Sequence, residues 1–120
     1  MFRIMLAEDD LTMVTLLKTL LGMEGYQVIA LSVEDDDVFE AVCKDRPDVL
    51  LLDVHLPRIN GLDVLDQVRG DEKTRDLKVV MTSGLNLELE CRNHGADDFL
   101  LKPYMPDDLL KMLARNLNPS

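Results

Sequence analysis

The sequence predicts an α/β fold, in which five parallel strands and five helices alternate as a (βα)5 doubly wound sheet. Short apolar runs alternate along the 120 residues with stretches whose apolar residues recur three and four positions apart. The runs show no alternation of apolar and polar residues, so each strand is predicted to be buried on both faces, beneath helices. For five such strands the common order is 2-1-3-4-5, the flavodoxin-like arrangement.

The predicted strands are short. They occupy residues 4–7, 26–30, 49–52, 79–81 and 99–101. The third of them, Val-Leu-Leu-Leu, is predicted to be the most deeply buried. Strands of this length, separated by helical patterns, are typical of a sheet built from parallel crossover units.

The first two helices have recognisable boundaries in the sequence. The first is predicted to follow Glu8-Asp9-Asp10 and to end near Gly25, since glycine readily adopts the left-handed conformation of a helix cap. The second is predicted from about residue 35 to residue 44, with the acidic run 34–37 as its cap. Pro47 then prevents the helix from continuing.

The last three helices are predicted from similar signals. Asn60-Gly61 begins the third helix, and a short fourth helix is expected around Leu87 and Cys91. Pro106 stands at the first position of the fifth, followed by two aspartates where the helix dipole favours anions.

The composition excludes several classes of function. Thirteen basic and 23 acidic residues give a net charge of −10. We therefore expect no direct binding to nucleic acid and no attachment to a membrane surface, since both depend on clustered lysine and arginine. No run approaches the roughly 18 apolar residues of a membrane span, and Glu8 interrupts any signal peptide. The chain is expected to be cytoplasmic.

The length fits a single domain over residues 1–120, which stands alone or belongs to a longer protein. The two cysteines, Cys43 and Cys91, have no metal-ligand spacing. We expect both to be small buried residues in a reducing compartment.

Acidic residues follow the first and third predicted strands. Ligands of open parallel sheets bind beyond the carboxyl ends of the strands, where the strand order reverses, and these two strands meet there. Glu8, Asp9 and Asp53 are therefore predicted to converge. Two carboxylates about 5 Å apart repel by roughly 3 kcal/mol at an effective dielectric near 20, so either a cation compensates or the pKa values of the carboxyl groups rise. Among cations, Mg²⁺ suits oxygen ligands.

A structural explanation accounts for part of this acidic cluster. Asp9 or Asp10 is expected to cap the first helix, and Asp53 could simply begin a loop. Capping gives no reason for a carboxylate directly after the Val-Leu-Leu-Leu strand, so the site interpretation is preferred.

Thr82 and Lys102 follow the fourth and fifth predicted strands. A hydroxyl and an ammonium beside a metal-binding acidic cluster suit a phosphoryl group, whose oxygens need both donors and positive charge. Asp53 is then predicted to be the nucleophile, forming an aspartyl phosphate.

Several short motifs occur together in the order that one known family shows. They are Glu8-Asp9-Asp10, the segment 51–57 followed by Asn60-Gly61, Thr82-Ser83-Gly84, Gly95-Ala96-Asp97-Asp98, and Lys102-Pro103. With them, the chain resembles a response-regulator receiver domain from residue 3 to about residue 117. The resemblance implies a phosphorylation-activated switch of two-component signalling, which takes part in its own phosphoryl transfer and hydrolysis but is not otherwise an enzyme.

The resemblance also implies roles for individual residues. Asp53 is the phosphoacceptor, and Glu8, Asp9, Asp53 and the backbone carbonyl of His55 bind Mg²⁺. Thr82 binds a phosphoryl oxygen, and Lys102, before a cis Pro103, pairs with it. Phe99 occupies the aromatic switch position. The implied partners are a histidine kinase or histidine phosphotransfer protein and a downstream protein target.

Three features depart from the family pattern. Glu8 replaces the more common aspartate, and Phe99 lacks the hydroxyl of the more common tyrosine. Thr82 and Lys102 are 20 positions apart, about two fewer than the family pattern predicts, so the segment 83–94 is shortened. This segment belongs to the expected output surface, formed by the fourth and fifth strands and the fourth and fifth helices. We expect it to be mobile before phosphorylation.

Three alternative functions come from other classes of protein. A phosphohydrolase with an aspartyl nucleophile needs a second acid two residues on, where this chain has His55. A flavin-binding module needs a hydroxyl- and glycine-rich loop after the first strand, where this chain is acidic. The remaining alternative is a degenerate receiver that is never phosphorylated and serves as a docking scaffold. His55 and His94 are otherwise expected to be ordinary loop or helix-end residues.

Overall fold

Five parallel strands form one sheet in the predicted order. In the computed structural model, which describes residues 1–117, the strands are β1 (Arg3–Ala7), β2 (Gln27–Ala30), β3 (Val49–Asp53), β4 (Lys78–Ser83) and β5 (Asp98–Leu101). Their order is β2-β1-β3-β4-β5 and every pairing is parallel. The predicted end of the domain, residues 118–120, lies outside the described residues, and the extent 1–120 stays a prediction.

Helices cover both faces of this sheet. They are α1 (Leu11–Met23), α2 (Val38–Asp45), α3 (Gly61–Gly70), α4 (Glu88–Asn93) and α5 (Pro106–Leu117). Leu17 of α1 and Leu109 of α5 pack against one face, whereas Val42 of α2 and Leu65 of α3 pack against the other. The doubly wound fold predicted from the sequence is therefore confirmed.

Both faces of the sheet are apolar at its centre. Successive strand residues point to opposite faces, and the residues that alternate there are all apolar. Val49 and Leu51 of β3 join the core beneath α1 and α5, and Leu50 and Leu52 join the core beneath α2 and α3. All five residues of β3 are buried, which confirms the expectation for this strand.

Side chains at the predicted starts of the first and third helices cap those helices. Asp10 accepts from the backbone N–H of Thr12 and Met13, at 3.0 and 3.2 Å, so Asp10 is the cap of α1. Asn60 accepts from Leu62 N–H at 2.8 Å and caps α3. Gly25, at φ 85°, has the left-handed conformation predicted after α1.

The second helix begins later than predicted. It starts at Val38 rather than near residue 35, because Asp37 is its cap and accepts from Glu40 N–H at 3.0 Å. Asp35 and Asp36 instead bind the hydroxyl and N–H of Ser32. Three of the four residues in the acidic run 34–37 therefore belong to the preceding loop.

The expectation of two buried cysteines is wrong for Cys43. Cys91 is fully buried, but Cys43 is exposed on α2. Val42 faces the core, and a helix turns by about 100° per residue, so Cys43 points away from it. Within residues 1–117, no helix combines the length and the apolar character needed to cross a bilayer.

Candidate functional site

The structure brings three carboxylates together at the carboxyl edge of the sheet. Glu8 and Asp9 directly follow β1, and Asp53 ends the neighbouring β3. Each contributes one oxygen to a group of ligand atoms that all lie within 4.8 Å of one another. Glu8 and Asp53 are buried, whereas Asp9 is exposed to solvent.

Lys102 compensates part of this negative charge. Its ammonium donates to Oε1 of Glu8 at 2.5 Å and to Oδ2 of Asp53 at 2.8 Å. The Lys102 backbone N–H donates to the carbonyl of Ser83 at 2.8 Å, which continues the β4–β5 ladder and fixes the lysine at the sheet edge. The bond to Pro103 is cis, as the resemblance implied.

The electrostatics of the site follow from its burial. Burial raises the pKa of Glu8, although hydrogen bonds from Lys102 and from Asp10 N–H oppose the shift. Burial alone lowers the pKa of Lys102, but hydrogen bonds to Asp53 and Glu8 outweigh it and leave this pKa raised. The lysine therefore stays charged while it holds both carboxylates.

Asp53 is held by the backbone around it. Its Oδ1 accepts from His55 N–H at 3.1 Å. Asp53 is also paired with Thr82 in the β3–β4 register, and Val54 N–H donates to the Thr82 carbonyl at 2.9 Å. Thr82 is 2% exposed, and the role of its hydroxyl stays a prediction. The His55 side chain is exposed, and a role for its carbonyl in binding metal stays a prediction.

Gly61 was predicted only as the start of a helix, but it also shapes the site. Its N–H donates to the Val54 carbonyl at 2.6 Å, so the first turn of α3 lies against the end of β3. A Cβ at Gly61 would overlap the carbonyl oxygen of Asp53. The sequence signal was the glycine directly after the Asn60 cap, where any good helix former would otherwise serve.

Tyr104 is a second residue that the sequence analysis missed. Its hydroxyl lies 4.0 Å from Sδ of Met13, between α1 and the segment that follows β5. Burial, together with the negative charge of Glu8, raises the pKa of Tyr104 to about 12. The phenol therefore stays protonated and adds no charge to its surroundings. The sequence signal was its position two residues after Lys102.

The shortened segment 83–94 contains a helix of six residues, α4. Its N-terminus, at Leu87, has no side-chain cap, and its anchors are the buried Cys91 and Arg92. Arg92 pairs with Glu88 at 2.9 Å and with the buried Asp98 of β5 at 3.1 Å.

Phe99 lies in the core cluster that includes Cys91 of this short helix, and His94 ends the helix. Phe99 points into the core, where it packs in one cluster with Met81 and Cys91. His94, at the end of α4, has its Nδ1 2.7 Å from a carboxylate oxygen of Asp66 on α3. Phe99 therefore lies beneath the expected output surface, and His94 is a helix-end residue, as expected.

Known proteins resemble this chain in sequence and in fold. The family model of the response regulator receiver domain matches residues 4–114. The chain belongs to this family. In sequence it is 36% identical over 123 aligned residues to the transcriptional regulatory protein CpxR of Klebsiella pneumoniae, and the match covers all of this chain. It spans about half the length of the curated relatives it matches, 51% for CpxR.

Two solved receiver domains superpose closely on this one. The beryllofluoride-activated receiver domain of Klebsiella pneumoniae RstA gives a TM-score of 0.86 at 28% identity, covering 97% of this chain and 98% of the other. The receiver domain of the Pseudomonas aeruginosa sensor histidine kinase PA1611 gives 0.81 at 27% identity, with 97% of each chain covered. A magnesium ion is coordinated in the active-site cleft of the PA1611 domain.

The residues of this chain fit a hard divalent cation. Glu8, Asp9 and Asp53 offer carboxylate oxygens, which Mg²⁺ prefers over nitrogen or sulfur ligands. Asp9 is exposed and gives the cluster an open side, where Mg²⁺ could keep some of its water. The acidic cluster could therefore bind a metal ion.

Proposed function

We propose that this domain accepts a phosphoryl group on Asp53 from the phosphohistidine of a histidine kinase or histidine phosphotransfer protein. The observation that carries the proposal is the contact between Asp53 and Lys102 at 2.8 Å, with Thr82 paired to Asp53 in the next strand. A nucleophile, a cation and a hydroxyl thus lie at one edge of the sheet. Family membership supports the same conclusion.

In the transfer, an Asp53 oxygen attacks phosphorus and forms a new P–O bond. The P–N bond of the donor phosphohistidine breaks, and its electron pair stays on the histidine nitrogen. Lys102 pairs with the negative charge of the phosphoryl oxygens, and the Thr82 hydroxyl donates a hydrogen bond to one of them. Glu8, Asp9, Asp53 and the His55 carbonyl would hold Mg²⁺, which neutralises charge on the transferring group when bound. The domain supplies the acceptor and the donors, and later takes part in hydrolysis of its own acyl phosphate.

The phosphoryl group then changes the surface formed by β4, α4, β5 and α5. It adds nearly two negative charges beside Thr82 and Lys102. We infer that Thr82 is drawn toward it and that Phe99, which packs in the core beneath α4, moves into the space behind. This movement biases a second packing of the segment 83–94.

In a longer protein, this switch would regulate an attached output domain. CpxR of Klebsiella pneumoniae is a transcriptional regulatory protein about twice as long as this chain. We propose that contact with DNA, where it occurs, belongs to such an additional segment. The receiver domain itself, at a net charge of −10, would contact proteins and not nucleic acid.

Labelling with a small phosphodonor tests this proposal. Acetyl phosphate and Mg²⁺ should produce an acid-stable, alkali-labile acyl phosphate on Asp53, located by peptide mapping. Asp53→Asn should abolish the label and leave the fold intact, because the amide has the same shape but is not a nucleophile. An unlabelled wild-type chain would favour the docking-scaffold alternative, and equal labelling of the Asn variant would identify another acceptor.

A further inference from the structure

The outer side of β2 is an open edge of the sheet. In the described part of the chain, β2 stands at the end of the strand order, and its one strand neighbour is β1. We propose that this edge binds an extended segment of a partner protein in which basic and apolar residues alternate. The segment would add to the sheet as a sixth strand. The inference does not depend on phosphoryl transfer at Asp53.

Alternate backbone groups of β2 face this open edge. The N–H groups of Gln27 and Leu31, at the start of β2 and directly after it, donate to carbonyls in and just before β1, at 2.9 and 3.0 Å. Successive residues of a strand turn their backbone N–H and C=O to opposite sides, so those of Val28 and Ala30 face outward. An edge of this kind is a template for main-chain hydrogen bonds with an added strand.

A groove with an acidic rim lies along the edge, between β2 and α2. Its volume is about 390 Å³, and its apolar lining includes Ile29 and Ala41. Four carboxylates and one ammonium also line it and give it a charge of −3: Asp36, Asp37, Glu40, Asp45 and Lys44. Asp36 and Asp37 accept hydrogen bonds from backbone N–H groups, which are neutral and leave both charges in place. The groove therefore favours basic side chains.

The opposite side of β2 is apolar. Tyr26 and Val28 pack there against the core beneath α1 and α5 and are partly buried, whereas Ile29 packs on the α2 side. Successive residues of an added strand would likewise point to opposite faces of the sheet. Those on the α2 side would meet the acidic groove, and those between them would meet Tyr26 and Val28. The alternation of basic and apolar residues in the partner follows from this geometry.

The charge of the groove favours a basic partner over a second copy of this chain. Two copies paired through β2 would bring together two grooves that each carry −3, and like charges across a strand pair are destabilising. The acidic rim thus protects the edge against self-pairing, as charged side chains do at other sheet edges. A strand of opposite charge would meet attraction at the same place.

Titration with a defined peptide, followed by nuclear magnetic resonance, tests the inference. The probe is an acetylated and amidated hexapeptide of alternating lysine and valine. It should shift the amide signals of Val28 and Ala30. Glu40→Lys should raise its Kd by about fivefold, the size of one surface ion pair. The matched control is Glu72→Lys, the same charge reversal at an exposed position in the loop between α3 and β4, and its Kd should equal that of wild type. Thermal melting verifies that both variants are folded.

Methylation of the peptide backbone distinguishes strand addition from attraction by charge alone. Every second N–H of an added strand faces β2, so N-methylation of all valines and N-methylation of all lysines should differ. One set should abolish binding, and the other should leave Kd within about twofold of the unmethylated value. Equal effects of the two sets would overturn the inference. So would equal effects of Glu40→Lys and Glu72→Lys, or the absence of binding by the unmethylated peptide.

Discussion

Gly61 shows how closely the residues behind the acidic cluster are packed. Its N–H bonds the Val54 carbonyl, and its missing side chain leaves room for the backbone of Asp53. The first turn of α3 and the end of β3 are thereby held in contact. A larger residue would have to move the backbone of Asp53 or the helix.

Gly61→Ala should destabilise the domain by about 2 kcal/mol or more, because backbone atoms that cannot move aside would meet the new methyl group. The control in the same helix is Gly70→Ala. Nothing lies within 4 Å of a Cβ at Gly70, so alanine there should be neutral or stabilising by up to about 1 kcal/mol. Urea denaturation measures both free energies of unfolding. A Gly61→Ala variant as stable as wild type would contradict the close packing described here.

The sequence was informative about which residues lie at the site and less so about how they are paired. Glu8, Asp53, Thr82 and Lys102 could be predicted to converge because each follows a parallel strand, and the carboxyl ends of such strands share one edge. The contact of the single Lys102 ammonium with two carboxylates depends on side-chain lengths and on burial. A sequence motif shows neither the reach of a side chain nor its burial. The close approach of Gly61 to the Asp53 carbonyl could not be predicted for the same reason.

Asp98 joins three elements on the expected output face. It is 4% exposed at the start of β5, yet it accepts from Arg92 of α4 and from Arg115 and Asn116 of α5. Burial raises the pKa of Asp98, but the hydrogen bonds from these donors outweigh it and lower the pKa below its usual value. The charged carboxylate therefore holds both flanking helices.

Asp98→Asn should reduce the free energy of unfolding by about 1–3 kcal/mol at pH 7, since the charge-assisted bonds are lost. Because the folded pKa is depressed, this contribution is present above the unfolded pKa of about 3.9 and is lost as the pH falls through the folded value. The difference between wild type and variant should thus shrink below about pH 4. Denaturation at several pH values measures it, with the exposed Asp76→Asn as control. A difference that does not depend on pH would contradict the pairing.

The start of α3 could be predicted accurately from the sequence, whereas the start of α2 could not. Asn60 marks the start of α3 unambiguously because it is a single capping residue before a glycine. The run 34–37 offers four acidic candidates in a row, and the contacts of Asp35 and Asp36 with Ser32 decide among them. Cys43 was misjudged because the expectation rested on its residue type, whereas Val38 and Val42 form the buried face of α2. The contacts of individual side chains, which a pattern of residue types does not show, decide these details.

In the whole molecule, the acidic cluster is a cost to folding that a bound cation would offset. In the described part of the chain, Lys102 is the only cationic side chain that forms an ion pair with Glu8 or Asp53. A ligand that binds only the native state adds RT ln(1 + [L]/Kd) to the free energy of unfolding. Mg²⁺ should therefore stabilise the fold against heat and denaturant alike.

At ten times its Kd, Mg²⁺ should add roughly 1.4 kcal/mol to the free energy of unfolding of wild type. Asp9→Asn removes an exposed ligand and should reduce this gain, whereas the same loss of charge in Glu72→Gln, far along the chain from the cluster, should not. Melting curves recorded with and without Mg²⁺ measure the effect. A wild-type melting temperature that millimolar Mg²⁺ leaves unchanged would contradict the site.

Hydrogen exchange across the whole chain, with and without beryllofluoride, tests most directly whether Asp53 controls the surface around α4. Beryllofluoride with Mg²⁺ mimics the phosphoryl group on Asp53, and α4 is six residues long without a side-chain cap, so it depends on its packing for stability. We predict that residues 83–94 exchange among the fastest in the free domain and become protected in the complex. Asp53→Asn should show no such change. Equal protection of residues 83–94 in both states of the wild-type domain would contradict the account.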